Sequence, residues 1–174
     1  MQRVMIVGGS GSGKSTLARA LGARTGLPVY HMDHVQWKAG WVSRSVEERE
    51  LLARDIESRA RWIFEGGFSA TYRNRIARCD TLIWLDFPVG LRLWRVTRRL
   101  VRYWGRERPD MTPGCREGFH RETLPFYKWI WDTRKTSREG VLRLIATPPA
   151  HVRVVHLTSA AQVAAFLETV PPCP

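Results

Sequence analysis

Near its start the chain reads VMIVGGSGSGKSTLARAL from Val4, and this stretch restricts the fold more than any other. RVMIVGG is a short apolar run closing on glycine, the pattern of a buried strand. In STLARALGARTG, Leu17, Ala20, Leu21 and Arg24 recur at helical spacing, and Gly26 followed by Pro28 gives a helix stop. Between them, Gly8, Gly9, Ser10, Gly11, Ser12, Gly13, Lys14 and Ser15 fill the pattern G-x-x-x-x-G-K-[ST]. The spacing has a mechanical meaning. Successive backbone N–H groups must turn inward on one phosphate; side chains would block that approach, and some positions need positive φ, so glycine is required. The helix that follows adds the partial positive charge of its N-terminus. In such a loop the lysine reaches the β- and γ-phosphates and the Ser hydroxyl ligates Mg²⁺.

The rest of the chain alternates in the same way. LPVYHMDHV is a second strand candidate ending near Asp33, WIFEGG a third, DTLIWLDFP a fourth closed by Pro88, and HVRVVHLTS a fifth. Helical patterns lie between them. Ser45 and Glu48 form a capping box before Val46, Leu52, Ile56 and Ala60, an arginine-rich helix starts near Gly90, and AAQVAAFLETV closes at Pro171. This order predicts an α/β, three-layer fold: a five-stranded parallel sheet with helices on both faces. Ligands in such sheets bind beyond the carboxyl ends of the strands, where Asp33, Glu65 and Asp86 fall.

With 174 residues and 44% apolar content, the chain suits a single globular domain, 1–174. Cys79, Cys115 and Cys173 show no metal-ligand spacing, and with no signal-like or membrane-spanning run the expected location is the cytoplasm. The 28 basic residues outnumber 16 acids, for a net charge of +12, and only four of the 28 are lysines. Such a surface attracts anions, so weak nucleic-acid binding is an expectation alongside nucleotide binding.

The segments GGSGSGKST, YHMDHVQWKAGW, WIFEGGFSATYRNRIARCDTLIWLDFP and RLWRVTRRL, in this order, resemble the adenylate-kinase-like P-loop kinases. Within them the chain is most similar to the bacterial proteins labelled "DNA topology modulation" proteins. The resemblance implies a small kinase fold, ATP and Mg²⁺, and phosphoryl transfer to a small-molecule or nucleotide acceptor. It makes Gly9, Ser10, Gly11, Ser12, Gly13, Lys14, Ser15 and Thr16 the nucleotide-binding residues, with Ser15 and Glu65 at the metal. Asp33 occupies the place of the acid that faces the acceptor, where it would accept the proton of an acceptor hydroxyl or sit in the Mg²⁺ shell. FEGGF resembles the Asp-Gly-Phe-Pro-Arg element of nucleoside monophosphate kinases, with Glu65 in place of Asp and no arginine following. Arg73 and Arg75, one turn later, would supply that charge, and Arg75 is the substrate candidate. Asp86 reads as a turn residue, and His31 and His34 as ordinary loop histidines.

On the arginine-rich helix, Arg92, Arg95, Arg99, Arg102 and Arg106 form one stripe at three- and four-residue spacing. The resemblance gives Arg95 to the adenine face and Arg99 to the phosphates as a catalytic residue with Lys14 and Asp33. The rest of the stripe reads as a solvated face or a patch for a polyanion. Residues 104–140 take the place of a mobile, helical lid, with Arg134 and Arg138 as its phosphate ligands. The alternative class is a nucleic-acid-associated regulatory ATPase with no small acceptor.

Overall fold

The computed structural model describes residues 1–173. In chain order its elements are β1 (Arg3–Gly8), α1 (Lys14–Thr25), β2 (Val29–His31), α2 (Met32–Gln36), β3 (Trp37–Lys38), β4 (Val42–Ser43) and α3 (Val46–Ser58). There follow β5 (Trp62–Glu65), α4 (Tyr72–Arg78), β6 (Thr81–Leu85), α5 (Val89–Arg102), α6 (Thr123–Asp132), α7 (Arg134–Ala146), β7 (Arg153–Leu157) and α8 (Ala160–Thr169). The expected sheet is present: five parallel strands in the order β2-β5-β1-β6-β7.

Alternation along β1 divides the core into two layers. Met5 and Val7 face one side, where Trp62, Phe64, Leu82 and Trp84 meet Met32, Val35, Ala53, Ile56, Ile76 and Val141 from α2, α3, α4 and α7. Val4 and Ile6 face the other, where Ile63, Ile83 and Leu85 meet Leu17, Ala18, Leu21 and Phe166 from α1 and α8. β1, β5 and β6 are buried on both faces, which explains their unbroken apolar runs.

The ends of β1, β2, β5 and β6 therefore open onto one edge of the sheet, and the turns that follow them carry the polar residues. One large cleft, about 2380 Å³, runs along this edge.

Three local readings are corrected. The second strand stops at His31, and Met32–Gln36 turn into α2, so Asp33 sits in a helix's first turn. The capping box of α3 is present, with Glu48 N–H donating to Ser45 Oγ and Ser45 N–H to Glu48 Oε2. Yet α3 buries Ala53, Ile56 and Glu57, while Val46 and Leu52 stay exposed. Glu57 turns inward because two polar partners on α4, the buried Arg75 and the exposed Asn74, reach it. Finally, the span 104–140 is not uniform: residues 103–122 between α5 and α6 are irregular, α6 and the start of α7 are helical, and α7 continues into the sheet's core at Val141.

Candidate functional site

The glycine-rich loop joins β1 to α1 with Gly8, Gly11 and Gly13 at φ of 146°, 80° and 97°. Gly11 shows why no side chain fits: its Cβ would lie 2.3 Å from the carbonyl oxygen of Arg92. Within the loop Ser12 N–H bonds Gly9 O at 3.1 Å, while α1 begins at Gly13 with no side chain capping it. The first-turn N–H groups of Lys14, Ser15 and Thr16 have no carbonyl within the helix to bond, and they point out of its start. Lys14 Nζ is folded back on Gly9 O at 3.2 Å. Burial pushes Lys14 below the ordinary lysine range, and the charges of Glu65 and Asp33 pull part of that shift back. Ser12 Oγ is buried with no partner among the described residues.

α5 lies over this loop. Arg92 Nε donates to Ser10 O at 3.1 Å and its guanidinium covers Gly9 so closely that a Cβ there would sit 2.0 Å from Nη2. Arg95 Nη1 donates to Ser12 O at 3.2 Å, and its guanidinium stands 4.6 Å from the centre of the Phe87 ring. The reading of the arginine stripe outside Arg95 and Arg99 as solvated fails at Arg92, which is buried: its donor group satisfies a loop carbonyl that faces the helix.

Glu65, at the end of β5, is buried and accepts from Ser15 Oγ at 2.9 Å and pairs with His31 Nδ1 at 2.7 Å on the same oxygen. Burial alone would raise its pKa, but the His31 hydrogen bond, the charges of Lys14 and His31, and the Ser15 hydroxyl together hold it below the ordinary glutamate value. His31 is therefore a structural partner of the site and not the loop histidine the sequence suggested. Asp33 opens into the same cleft, its side chain 42% exposed and its carboxylate 3.8 Å from Arg108 Nη2. Desolvation in the cleft and the nearby Glu65 carboxylate raise its pKa, outweighing Arg108 and Lys14.

Arg75 is the clearest correction. It has no exposed side-chain surface and lies 4.0 Å from the centre of the Phe64 ring. Its Nη1 donates to Gly66 O, its Nη2 to Thr71 Oγ1 and its Nε to Glu57 Oε1. It cannot touch a substrate; it holds the Gly66–Gly67 turn behind Glu65. Arg73, two residues earlier on α4, is the one of the pair that lines the cleft. The proposed lid arginines both line the cleft, each already engaged by the fold. Arg134 rests on the Trp131 ring, and Arg138 donates to Asp86, which also meets His156 Nε2 at 3.2 Å.

Residues 103–122 supply charges that the sequence pattern did not single out. Arg108 is buried against Glu117, against Asp110 at 3.3 Å, and near Asp33. Arg99 Nε stands 3.8 Å from Glu117 Oε1, and Arg19 of α1 meets Asp110 at 3.0 Å. The segment is tied to the β3–β4 hairpin by Gly40 N–H to Gly114 O, Thr112 Oγ1 to Trp37 O, Cys115 Sγ to Lys38 O and Trp41 Nε1 to Arg116 O. Trp41 is held at φ 62°, an uncommon value for a residue with a side chain. No signal short of the contact map links residues 108–117 to the loop, because their partners lie 75 to 91 positions away.

A parallel sheet in this order, with a glycine loop feeding a helix N-terminus beside an acid from the neighbouring strand, is the fold of the P-loop kinases. The solved structures that superpose on the chain include the shikimate kinase of Acinetobacter baumannii, 17% identical, covering 98% of this chain and 90% of that one at a TM-score of 0.56. A sugar kinase from Janibacter sp. HTCC2649 is 17% identical, covering 98% and 94% at 0.55. Deoxyadenosine kinase of M. mycoides is 15% identical, covering 97% and 98% at 0.55. In sequence, the uncharacterized protein YqaC of Bacillus subtilis (strain 168) is 30% identical over 112 residues, and the match spans 61% of each chain. No family model matches the sequence. Among the described residues no helix is long and apolar enough to cross a membrane.

Proposed function

We propose that the protein is an ATP·Mg-dependent phosphotransferase acting on a small-molecule or nucleotide acceptor. One observation carries this reading: Lys14, Ser15, Glu65 and Asp33, from three separate segments, converge at the mouth of the glycine loop. The chemistry fits the groups it implies. The uncapped start of α1, the orphaned Ser12 hydroxyl and the uncovered loop amides suit phosphate oxygens, and Arg92 and Arg95 bring positive charge to the loop. Ser15 and Glu65 offer hard oxygen donors, which suit Mg²⁺ bound mainly through phosphates and water. Bound there, ATP·Mg supplies the γ-phosphoryl group and neutralises charge on its oxygens.

The chain's residues then divide the work. Gly9 to Thr16 grip the phosphates. Lys14 leaves Gly9 O for them, and Arg99 meets the charge that develops on the transferred group. Arg95 sits on the base side. Glu65, fixed by His31, holds Ser15 and the metal's water shell. Asp33, with its raised pKa, accepts the proton of the acceptor hydroxyl. Residues 103–122 cover the cleft and exclude water. The kinases on which the chain superposes act on unlike acceptors, so the fold leaves the acceptor open. The nucleic-acid-associated ATPase gains no support: Arg92 and Arg99, which would have formed its basic stripe, are directed inward.

ATP with Mg²⁺ at 100 times its Kd should stabilise the protein by about 2.7 kcal/mol, a melting-point rise of roughly 5–10 °C. No rise and no binding heat with any nucleoside triphosphate would end the proposal.

A further inference from the structure

The kinase reading leaves the acceptor unnamed, and the Asp33 side of the cleft carries information about it. Four rings line this side: Trp37 and Trp41 from the hairpin region, and Phe68 and Tyr72 after β5. All four are half-buried, so each keeps apolar surface in contact with the cleft. Trp37 and Trp41 pack edge to face with centres 5.6 Å apart, and Trp41 is pinned by its positive φ and by its indole N–H bond to Arg116 O. Rigid aromatic walls of this kind favour a flat, apolar-faced ligand. Gln36 lines the same side, and its side-chain amide has no hydrogen-bond partner among the described residues. An amide both donates and accepts, which matches the edge of a nucleobase.

The charges narrow the class further. Lys14 lies in the field of Glu65 and Asp33. Arg108 is matched by Asp33, Asp110 and Glu117, Arg19 by Asp110, and Arg99 by Glu117. On this side two cations lack a carboxylate within ion-pair distance among the described residues: Lys14, which is folded onto Gly9 O and belongs to the triphosphate in the kinase reading, and Arg73, exposed at the rim. The acceptor floor is thus close to electrically balanced, unlike the loop side, where Arg92 and Arg95 face the phosphates. A carboxylic acid or a monophosphate would meet Asp33, Asp110 and Glu117 with no buried cation to spare.

We propose that the acceptor is an uncharged nucleoside, its base between the aromatic walls against Gln36 and its hydroxyl at Asp33. This inference rests on the kinase reading. In the transfer, the nucleoside oxygen forms a bond to the γ-phosphorus as the bond from that phosphorus to the β-bridging oxygen breaks. ADP leaves with the electron pair, and the hydroxyl proton passes to Asp33. The product is a nucleoside monophosphate.

The test uses the full chain with ATP and Mg²⁺, and follows ADP release with nucleosides, their monophosphates, hexoses, polyols and shikimate as added acceptors. At least one nucleoside should stimulate release tenfold or more, with its monophosphate as the phosphorylated product, and should quench tryptophan fluorescence without ATP. Its own monophosphate and the acids should be at least tenfold poorer in kcat/KM. Gln36→Ala should lower kcat/KM for that nucleoside about tenfold, mainly through KM, and shrink its preference over nucleosides of other bases. A sugar, acid or monophosphate as the best acceptor would overturn the inference and leave the kinase reading standing. Unchanged base preference in Gln36→Ala would overturn the base placement. No stimulated release by any acceptor, with ATP still bound, would overturn both.

Discussion

The glycine loop draws its parts from eight consecutive residues with one helix laid across them, whereas the Asp33 side of the cleft is assembled from three distant stretches of chain. On the loop side, backbone geometry does most of the work, and α5 packs against it through Arg92 and Arg95. On the Asp33 side, α2, the hairpin, the turn after β5 and residues 103–122 meet through side chains, and buried ion pairs fix their spacing. The contrast teaches that one half of the site can lose a side chain without losing its shape, while the other half depends on long-range contacts for its shape.

The largest effect should come from Lys14→Ala. It removes a charge from the phosphates and nothing from the core, so turnover should fall at least about 10³-fold. Circular dichroism and melting temperature should stay near those of the parent. A loss of stability matching the loss of activity would break the contrast between the two halves.

Glu57→Ala tests the other half. It leaves Arg75 buried beneath the Gly66 turn without its carboxylate, which costs about 3–5 kcal/mol. Urea unfolding should show it, although Glu57 never meets the cleft. A change within about 1 kcal/mol would mean that the pair is not what positions the turn.

Gly114→Ala is milder. Gly114 lies at φ 87°, and a Cβ there would come within 2.8 Å of the Ala39 Cβ. The substitution should cost about 1–3 kcal/mol of local strain. It should loosen residues 103–122 from the hairpin, seen as faster amide exchange at Gly40 and Trp41 with ATP affinity unchanged.

Asp33→Asn should give the smallest stability effect and the clearest pH signature. The folded state raises the Asp33 pKa above its unfolded value, near 4. Ionised Asp33 therefore costs stability as pH rises from about 4 through the folded value, and the cost persists at neutral pH. The variant should melt slightly higher than the parent at pH 7, by less than about 1 kcal/mol given solvent screening, and equally at pH 3. The parent's kcat/KM should fall on the acid side at a pH above the ordinary carboxylate range. Melting curves at the two pH values, with a pH–rate profile, check both.

These outcomes bear on how far the sequence could be read. The five strands, the loop and the capping box of α3 announce themselves through local pattern, because each is decided by residues within about ten positions. Glu65 at the end of β5, and Asp33 two residues past the end of β2, fall on the sheet edge that the strand pattern pointed to, and both line the cleft. Arg75 was misplaced because only two helical positions separate it from Arg73, and only packing decides which of the two turns inward. Arg92 looked solvated because charge pattern cannot show that a carbonyl of Ser10 would face it. Arg108, Asp110 and His31 left no local trace: each gains its meaning from a partner 34 to 91 residues away, and Glu117 gains its own through Arg108 and Arg99.

The fastening of residues 103–122 to the hairpin has a consequence for turnover. Four hydrogen bonds, spread over Trp37, Lys38, Gly40 and Trp41, join the cover of the cleft to the wall that holds the acceptor. Lifting one must drag the other or part them. In the proposed kinase, release of the spent nucleotide and entry of the next acceptor would therefore be geared together, and a cycle could not reset its two ends independently.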